Sequence, residues 1–376
     1  MLPATNTESD ESDEADMSLL SKEELAEINS QADETVSEWA DELKREMKNS
    51  PDDTAAVTAS EVEDSKKNAG ISDETLAVAV ALEFELAALH DQLAAGDTSA
   101  LTENTSDFLT TILAGTVTAY ALRSAMTAAF ARGALDAGGS HIRLMPGLMH
   151  PERTLTVLKH SGVLSGATMA TAAADIARRA DVTAKVLKAQ LIQDQRDLLN
   201  EGKETPQEIA AQLTRLESNF HVQKHADISS EQANGFGEYQ ARPRTSYTEF
   251  YREENRIEWR DWPTKWRELG GTFHGAPSDY PEGRMIHETD SRFWEELSAF
   301  GTPWAPFDYN SGMNIKPVDA EEAERLGLGK VRPVGPRAPK LEFNAKIEFS
   351  ADYDDDVKSA LLDSMQDWVD KKPVAV

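Results

Sequence analysis

Between Tyr247 and Met313 the chain carries Trp259, Trp262, Trp266, Trp294 and Trp304, five of its seven tryptophans. Large aromatic rings bury more apolar area per residue than other side chains and dominate core and interface energetics. A chain this poor in aromatic residues elsewhere places its most tightly specified packing in that window. Within it, PWAPFDYNSGM sets Pro303, Pro306 and Gly312 around aromatic residues. Proline restricts the backbone while Asn310 and Gly312 tolerate turn geometry, so an irregular, fixed loop is expected rather than a linker.

The segments that follow have local signals. Asp319 and Glu322 open a short helix, DAEEAERLGL, that Gly327 should close. After the basic, Pro-rich connector KVRPVGPRAPK, the run LEFNAKIEFSA alternates Leu341, Phe343, Ala345, Ile347 and Phe349 with polar residues, the period of a half-buried strand. Asp352, Asp354, Asp355 and Asp356 lack the glycine and closing glutamate of a calcium loop and read as the acidic start of a final helix, DVKSALLDSMQDWVD.

The opposite end is of another kind. Residues 1–67 hold 20 acidic and 6 basic side chains, about half of the net charge of -29. The first 16 residues cannot bury enough apolar surface to offset chain entropy and are expected to be disordered. Ser21 and Glu24 have capping-box spacing and open an amphipathic helix to about Lys48. The arm reads as a solvated tether or as a docking segment that folds on a partner. It lacks the basic start and apolar stretch of a secretory signal, which points to an intracellular or virion location. The acidic balance argues against general nucleic-acid binding, which depends on neutralising phosphates with Lys and Arg. With no cysteine, disulfides, thiolate nucleophiles and Cys-ligated metals are excluded.

The intervening region is helical. Ser72 precedes a helix that should stop at Gly96. From Phe108 to Gly139 the side chains are apolar or small almost all round. The run before Arg123 is shorter than the roughly 20 residues of a membrane span, so one Ala-rich core helix is preferred to a membrane-active segment. Residues 165–200 read as one long amphipathic helix ended near Gly202. Thr205, Pro206 and Glu208 then supply cap, first-turn proline and capping-box acid for a restart.

Candidate chemistry is sparse. His221 and His225 have the i, i+4 spacing of a helical metal pair, but VQK between them lacks the acid of a zinc-protease helix and no third ligand stands out. His274, His287, Glu288 and Asp290 cluster in a loop-rich stretch, where Glu288 and Asp290 more simply cap the helix SRFWEELSAF. Arg242, Arg244, Tyr247, Tyr251, Arg252, Arg256, Trp259 and Arg260 suggest a stacking platform for single strands. Because Glu249, Glu253, Glu254, Glu258 and Asp261 interleave at helical spacings, a salt-bridged helix with an aromatic face is preferred. No P-loop, dinucleotide fingerprint, nucleophile elbow or zinc-protease signature appears. A non-enzymatic protein with no cofactor and no metal is expected.

The Ala-rich helical region, TPQEIAAQL, YREENRIEWRDW, GRMIHETDSRFWEELSAFGTPWAPFDYNSGM and KPVDAEEAERLGL, in this order, resemble phage and prophage minor head proteins, the head morphogenesis proteins similar to the phage Mu F protein. The distinctive part runs from Tyr247 to Leu328, and PFDYNSGM followed by EAERLGL is its most specific element. Many such proteins carry a Cys/His cluster here; this chain has no cysteine, and no metal site is carried over.

The resemblance implies a virion protein of low copy, associated with the portal protein or the major capsid protein and acting in head assembly or genome delivery, with self-association also open. Direct nucleic-acid binding and membrane contact are not expected. Two alternatives stay open: a scaffold-like factor absent from mature particles, and a hydrolase- or transferase-like effector using His274, His287, Glu288 or Asp290. The expected architecture is mainly α: a disordered acidic arm with one helix (1–70), a helical region (71–240), a Trp-rich module (241–330), and a connector, strand and final helix (331–376). Together the last two form a small irregular α+β module. Candidate packing or partner-contact residues are Trp259, Trp262, Trp266, Trp294, Trp304, Phe307 and Tyr309.

Overall fold

The computed structural model describes residues 73–334 and 352–365, apart from 103–105, 143, 145–149, 203, 214–219, 255–259, 277–279 and 310. All of them belong to one of the two units into which the chain divides, Ala56–Val376. The acidic arm with its helix near Lys48, the strand LEFNAKIEFSA and Trp259 lie outside the described residues.

Among the described residues eight helices form the first part: α1 (Asp73–Ala94), α2 (Ser99–Thr102), α3 (Ser106–Leu113), α4 (Val117–Ala137), α5 (Pro151–Ser161), α6 (Gly166–Glu201), α7 (Pro206–Leu213) and α8 (Phe220–Ala241). Their ends follow local chemistry. Ser165 accepts from the Thr168 N–H at 3.1 Å to start α6, and Gly202, with φ of 61°, ends it. At α7 the reciprocal capping box forms: the Thr205 N–H donates to Glu208 Oε2 at 2.8 Å, and the Glu208 N–H donates to Thr205 Oγ1 at 3.3 Å.

The 36-residue α6 is the spine, and α4 packs on it, on α1 and most extensively on α8. The α4–α8 approach is close because both helices carry glycine at the crossing. A Cβ at Gly133 would overlap the Asn234 carbonyl, and one at Gly237 would overlap the Phe130 carbonyl. The small residues of α4 thus let two backbones meet.

The expected single helix from Phe108 to Gly139 is two helices, broken around Gly115. At the break, Glu85 of α1 caps α4 from outside, accepting from the Val117 N–H at 2.7 Å and the Thr118 hydroxyl at 2.6 Å. Lys188 of α6, fully buried, sits 3.1 Å from Glu85 and donates to the Gly115 carbonyl at 2.9 Å. Helix starts leave backbone donors unsatisfied, and a carboxylate also complements the helix dipole. Two helices joined at a buried ion pair therefore replace one continuous run. Among the described residues no helix is long and apolar enough to cross a membrane.

The second part is built on a four-stranded antiparallel sheet, β1 (Tyr247–Arg252), β2 (Phe273–His274), β3 (Arg284–Glu288) and β4 (Met313–Pro317), in the order β2-β3-β1-β4. Tyr247–Arg252 was expected to be helical and is instead the central strand, pairing Phe250 with Met285 on one side and with Ile315 on the other. Two short helices, α9 (Trp262–Glu268) and α10 (Phe293–Leu297), bring their indoles against Phe250. On the opposite face α11 (Ala320–Arg325) sets Ala323 with Ile286 and Val318 in a second, smaller cluster. Asp319 caps α11, accepting from the Glu322 N–H at 2.8 Å.

The last described helix, α12 (Asp355–Ser364), returns to the helical part and packs on α3 and α6. Arg196 of α6 holds it with both guanidinium nitrogens on Asp356, at 2.6 and 2.7 Å. The acidic start of this helix is therefore an ion-pair anchor as well as a dipole partner. The protein is mainly α with a small α+β C-terminal module.

Candidate functional site

The module from Tyr247 to Leu328 is organised by Phe250. Its ring meets Trp262 edge-on at 5.1 Å and Phe307 edge-on at 4.9 Å, with Trp266 and Trp294 at 6.1 and 6.5 Å. Edge-to-face arrays at these separations add to the stabilisation from area burial alone. The polar edges of two indoles are satisfied locally. Trp266 Nε1 donates to the Thr272 carbonyl at 3.0 Å, and Trp294 Nε1 donates to the Glu288 carbonyl at 2.9 Å. Trp262, Trp266, Trp294, Trp304 and Phe307 are all buried, so each is a packing residue.

Trp304 joins the module to the helices. Its ring lies 4.9 Å from Phe236 and 5.4 Å from Tyr239, both on α8. One turn away, a Cβ at Gly235 would overlap the Ala305 carbonyl, so the loop rests on bare helix backbone. Around this seam Arg242 donates to the Ile315 carbonyl, and Arg244 pairs with Asp290 at 2.7 Å.

The PFDYNSGM loop is fastened on both flanks. The Phe307 carbonyl accepts from the Ala299 N–H at 2.7 Å, Arg260 donates to Asp308 and to the Tyr309 carbonyl, and the Gly312 carbonyl accepts from the Glu253 N–H at 3.0 Å. Tyr309 alone among the described contact candidates stays open, at 40% exposure. Phe300 meets its ring edge-on at 4.9 Å, and Lys224 Nζ lies 4.7 Å from its centroid. The loop thus presents a half-exposed aromatic with a cation over it on a fixed backbone.

The back of the sheet is a charge ladder. Buried Glu249 accepts from Arg284 Nε at 2.8 Å and lies 3.3 Å from Lys316 Nζ, and Arg284 continues to Glu322, which also takes Arg325. Hydrogen bonding to Glu249 leads the causes that raise the Arg284 pKa above its ordinary value. Burial, reinforced by Glu253, pushes the Tyr251 phenol up to about 12. The Glu249 pairs with Arg284 and Lys316 join neighbouring strands and hold them in register.

The other sequence candidates are dispersed. His274 stands on β2 with Nε2 3.0 Å from the Thr272 hydroxyl, and burial followed by the neighbouring His287 lowers its pKa. His287 stacks on Phe293 at 4.2 Å. Contrary to the expectation from the sequence, Glu288 and Asp290 do not cap α10: Asp290 faces Arg244, and the Ser291 hydroxyl accepts from the Phe293 N–H at 3.2 Å. The nearest oxygen acceptor before that helix is the serine, while the aspartate is drawn to a charge 46 residues upstream. His225 lies on α8, where it lines a cavity. No group of three His, Asp or Glu able to hold a metal occurs among the described residues.

The local matching expected for the Arg and aromatic series is not what forms: Arg242 pairs with Glu238, Arg244 with Asp290 and Arg260 with Asp308, none of them the acids expected from helical spacing, and Arg252 donates to the Tyr280 hydroxyl at 2.7 Å, while Arg256 lies outside the described residues. Sequence reasoning passed over Glu85, Lys188, Arg196 and Gly235. A lysine and a glutamate inside otherwise apolar helix faces were the available signal for the first two. No protein-family profile matches the chain, and neither a curated protein nor a solved structure matches it significantly.

Proposed function

We propose that this protein is a structural component of a phage head, a minor head protein associated with the portal or with the inner face of the capsid, acting in head assembly or genome delivery. The observation that carries the reading is the Tyr247–Leu328 module. The segment that resembles minor head proteins is one sheet-centred unit with four indoles in its interior, and its most specific stretch is a loop fastened on both sides that displays Tyr309. A rigid backbone presenting an aromatic group suits a protein contact, because little conformational freedom is lost when a partner docks.

The partner is a protein of the head, the portal protein or the major capsid protein. A chain of net charge -29 is repelled by packaged DNA, which favours protein contacts over direct genome binding. Cross-linking mass spectrometry on assembled heads tests this. Cross-links from Lys224, beside Tyr309, to portal or major capsid protein are expected; cross-links confined to this chain would overturn the reading.

The acidic arm supports a second reading, a scaffold-like assembly factor. Its signature is presence in precursor heads and loss from finished ones.

A further inference from the structure

The helix α12 is held in its seat by side chains at both ends. It has 10 residues, fewer than an isolated helix needs to be stable in water, so its helicity depends on what it docks against. Tyr353, Val357, Ala360, Leu361 and Met365 are buried and recur at helical spacing, which gives the segment one apolar face for α3 and α6.

Both ends are read by α6. At the start, Arg196 holds Asp356 with two nitrogens and reaches Asp354 at 3.2 Å. The Asp354 N–H donates to Gln193 Oε1 at 2.8 Å, and the Tyr353 hydroxyl donates to Gln190 Oε1 at 2.9 Å. At the finish, Lys185 donates to the Ser364 carbonyl at 2.9 Å. An arginine on the acidic first turn and a lysine on the last turn match both the charge and the dipole of the docked helix. This face of α6 is therefore a recognition surface for an amphipathic helix with an acidic start, laid antiparallel to it.

The seat is not sealed, and the connection to it is long. An open cavity of about 370 Å³ lies among Leu101, Thr102, Leu199, Asn200 and the Arg196–Asp356 pair. Residues 335–351 stand between Val334, whose N–H donates to the Arg244 carbonyl beside the sheet, and Asp352. A chain of that length spans at most about 60 Å.

We propose that the seat on α3 and α6 also takes α12 from a second copy of this chain, so that two copies exchange their last helices reciprocally. Each contact between α12 and α6 is then remade across the two chains. The closed and exchanged forms differ in connectivity alone. A tethered helix has an effective concentration on the order of 1 mM, so exchange rises as the chain approaches that concentration. The inference concerns pairing of copies and stands whether or not the protein resides in a head.

Sedimentation velocity of the full chain at constant ionic strength tests it with two charge reversals. Arg196→Glu makes the seat repel its own α12, and Asp356→Arg makes α12 repel its own seat. Mixing the two variants restores both pairings only by reciprocal exchange, because the reversed helix then meets the reversed seat and the unaltered helix the unaltered seat. Each variant alone should be monomeric at roughly 20 µM. After co-incubation the equimolar mixture should form a heterodimer with a Kd on the order of 10 µM. The unaltered chain should show a dimer fraction at least roughly tenfold larger at about 1 mM than at about 10 µM, and Asp356→Arg should abolish that rise. Should Arg196→Glu fail to fold, the concentration series of the unaltered chain and of Asp356→Arg carries the test. A mixture of folded variants that stays monomeric, an unaltered chain that stays monomeric up to about 1 mM, or dimers that Asp356→Arg leaves intact would overturn the proposal.

Discussion

In the helical part, α4 and α8 meet through Gly133 and Gly237, and the group buried where α1, α4 and α6 converge is the Lys188–Glu85 pair. In the sheet module the equivalent space is filled by Trp262, Trp266 and Trp294 around Phe250. The first region brings backbones together and depends on one matched charge pair. The second keeps its backbones apart and depends on ring volume. Removing volume should therefore damage the module most, whereas unbalancing charge should damage the helices most.

The largest effects should come from one substitution in each region. Glu85→Ala leaves Lys188 buried without its counter-charge and should cost about 3–5 kcal/mol of unfolding free energy. Trp294→Ala opens a cavity beside Phe250 and should cost about 3–5 kcal/mol. The comparison separates them by rescue. Adding Lys188→Met to Glu85→Ala should restore most of the loss, because an apolar replacement of a buried ion pair is often neutral. No single enlargement of a neighbour should restore Trp294→Ala. Chemical denaturation of the three variants decides, and a double variant no better than Glu85→Ala would break the charge half of the comparison.

A smaller effect is expected at the seam. Gly235→Ala places a methyl against the Ala305 carbonyl and should cost about 1–3 kcal/mol, as overpacking does. Hydrogen exchange should show faster opening in the Trp304 loop than in α6. Uniform acceleration throughout would mean that seam and body are not separable.

The smallest is a pH effect on α12. The Arg196 hydrogen bonds hold the Asp356 pKa below its ordinary value. A depressed carboxylate contributes stability that is complete above its unfolded value and lost as pH falls through the folded one. Asp356→Asn should therefore lower stability at neutral and alkaline pH and change it little at low pH, which flattens the acid limb of the stability profile. An acid limb identical to that of the unaltered protein would remove Asp356 from the account.

Much of the helical part was legible because its signals are local. Thr205, Pro206 and Glu208 lie within one turn of what they cap, as do Asp319 and Glu322, and Gly202 and Gly327 end helices by their own backbone freedom. Tyr247–Arg252 was misread because its acids and bases recur at helical spacing, while what makes it a strand lies about 40 residues on in β3 and about 65 in β4. The break near Gly115 was missed for the same reason, since its cap is Glu85 of another helix. The clustering of indoles identified a core correctly. It could not tell Tyr309, which faces outward, from Phe307 two residues earlier, because that difference is set by how Arg260 and Ala299 hold the loop.

The central claim, that this chain is a resident structural part of a phage head, is tested most directly by a quantitative mass-spectrometric inventory of purified mature particles and precursor heads. The account predicts this protein in mature particles at low copy relative to the major capsid protein. Its absence from both mature particles and precursors would contradict that claim.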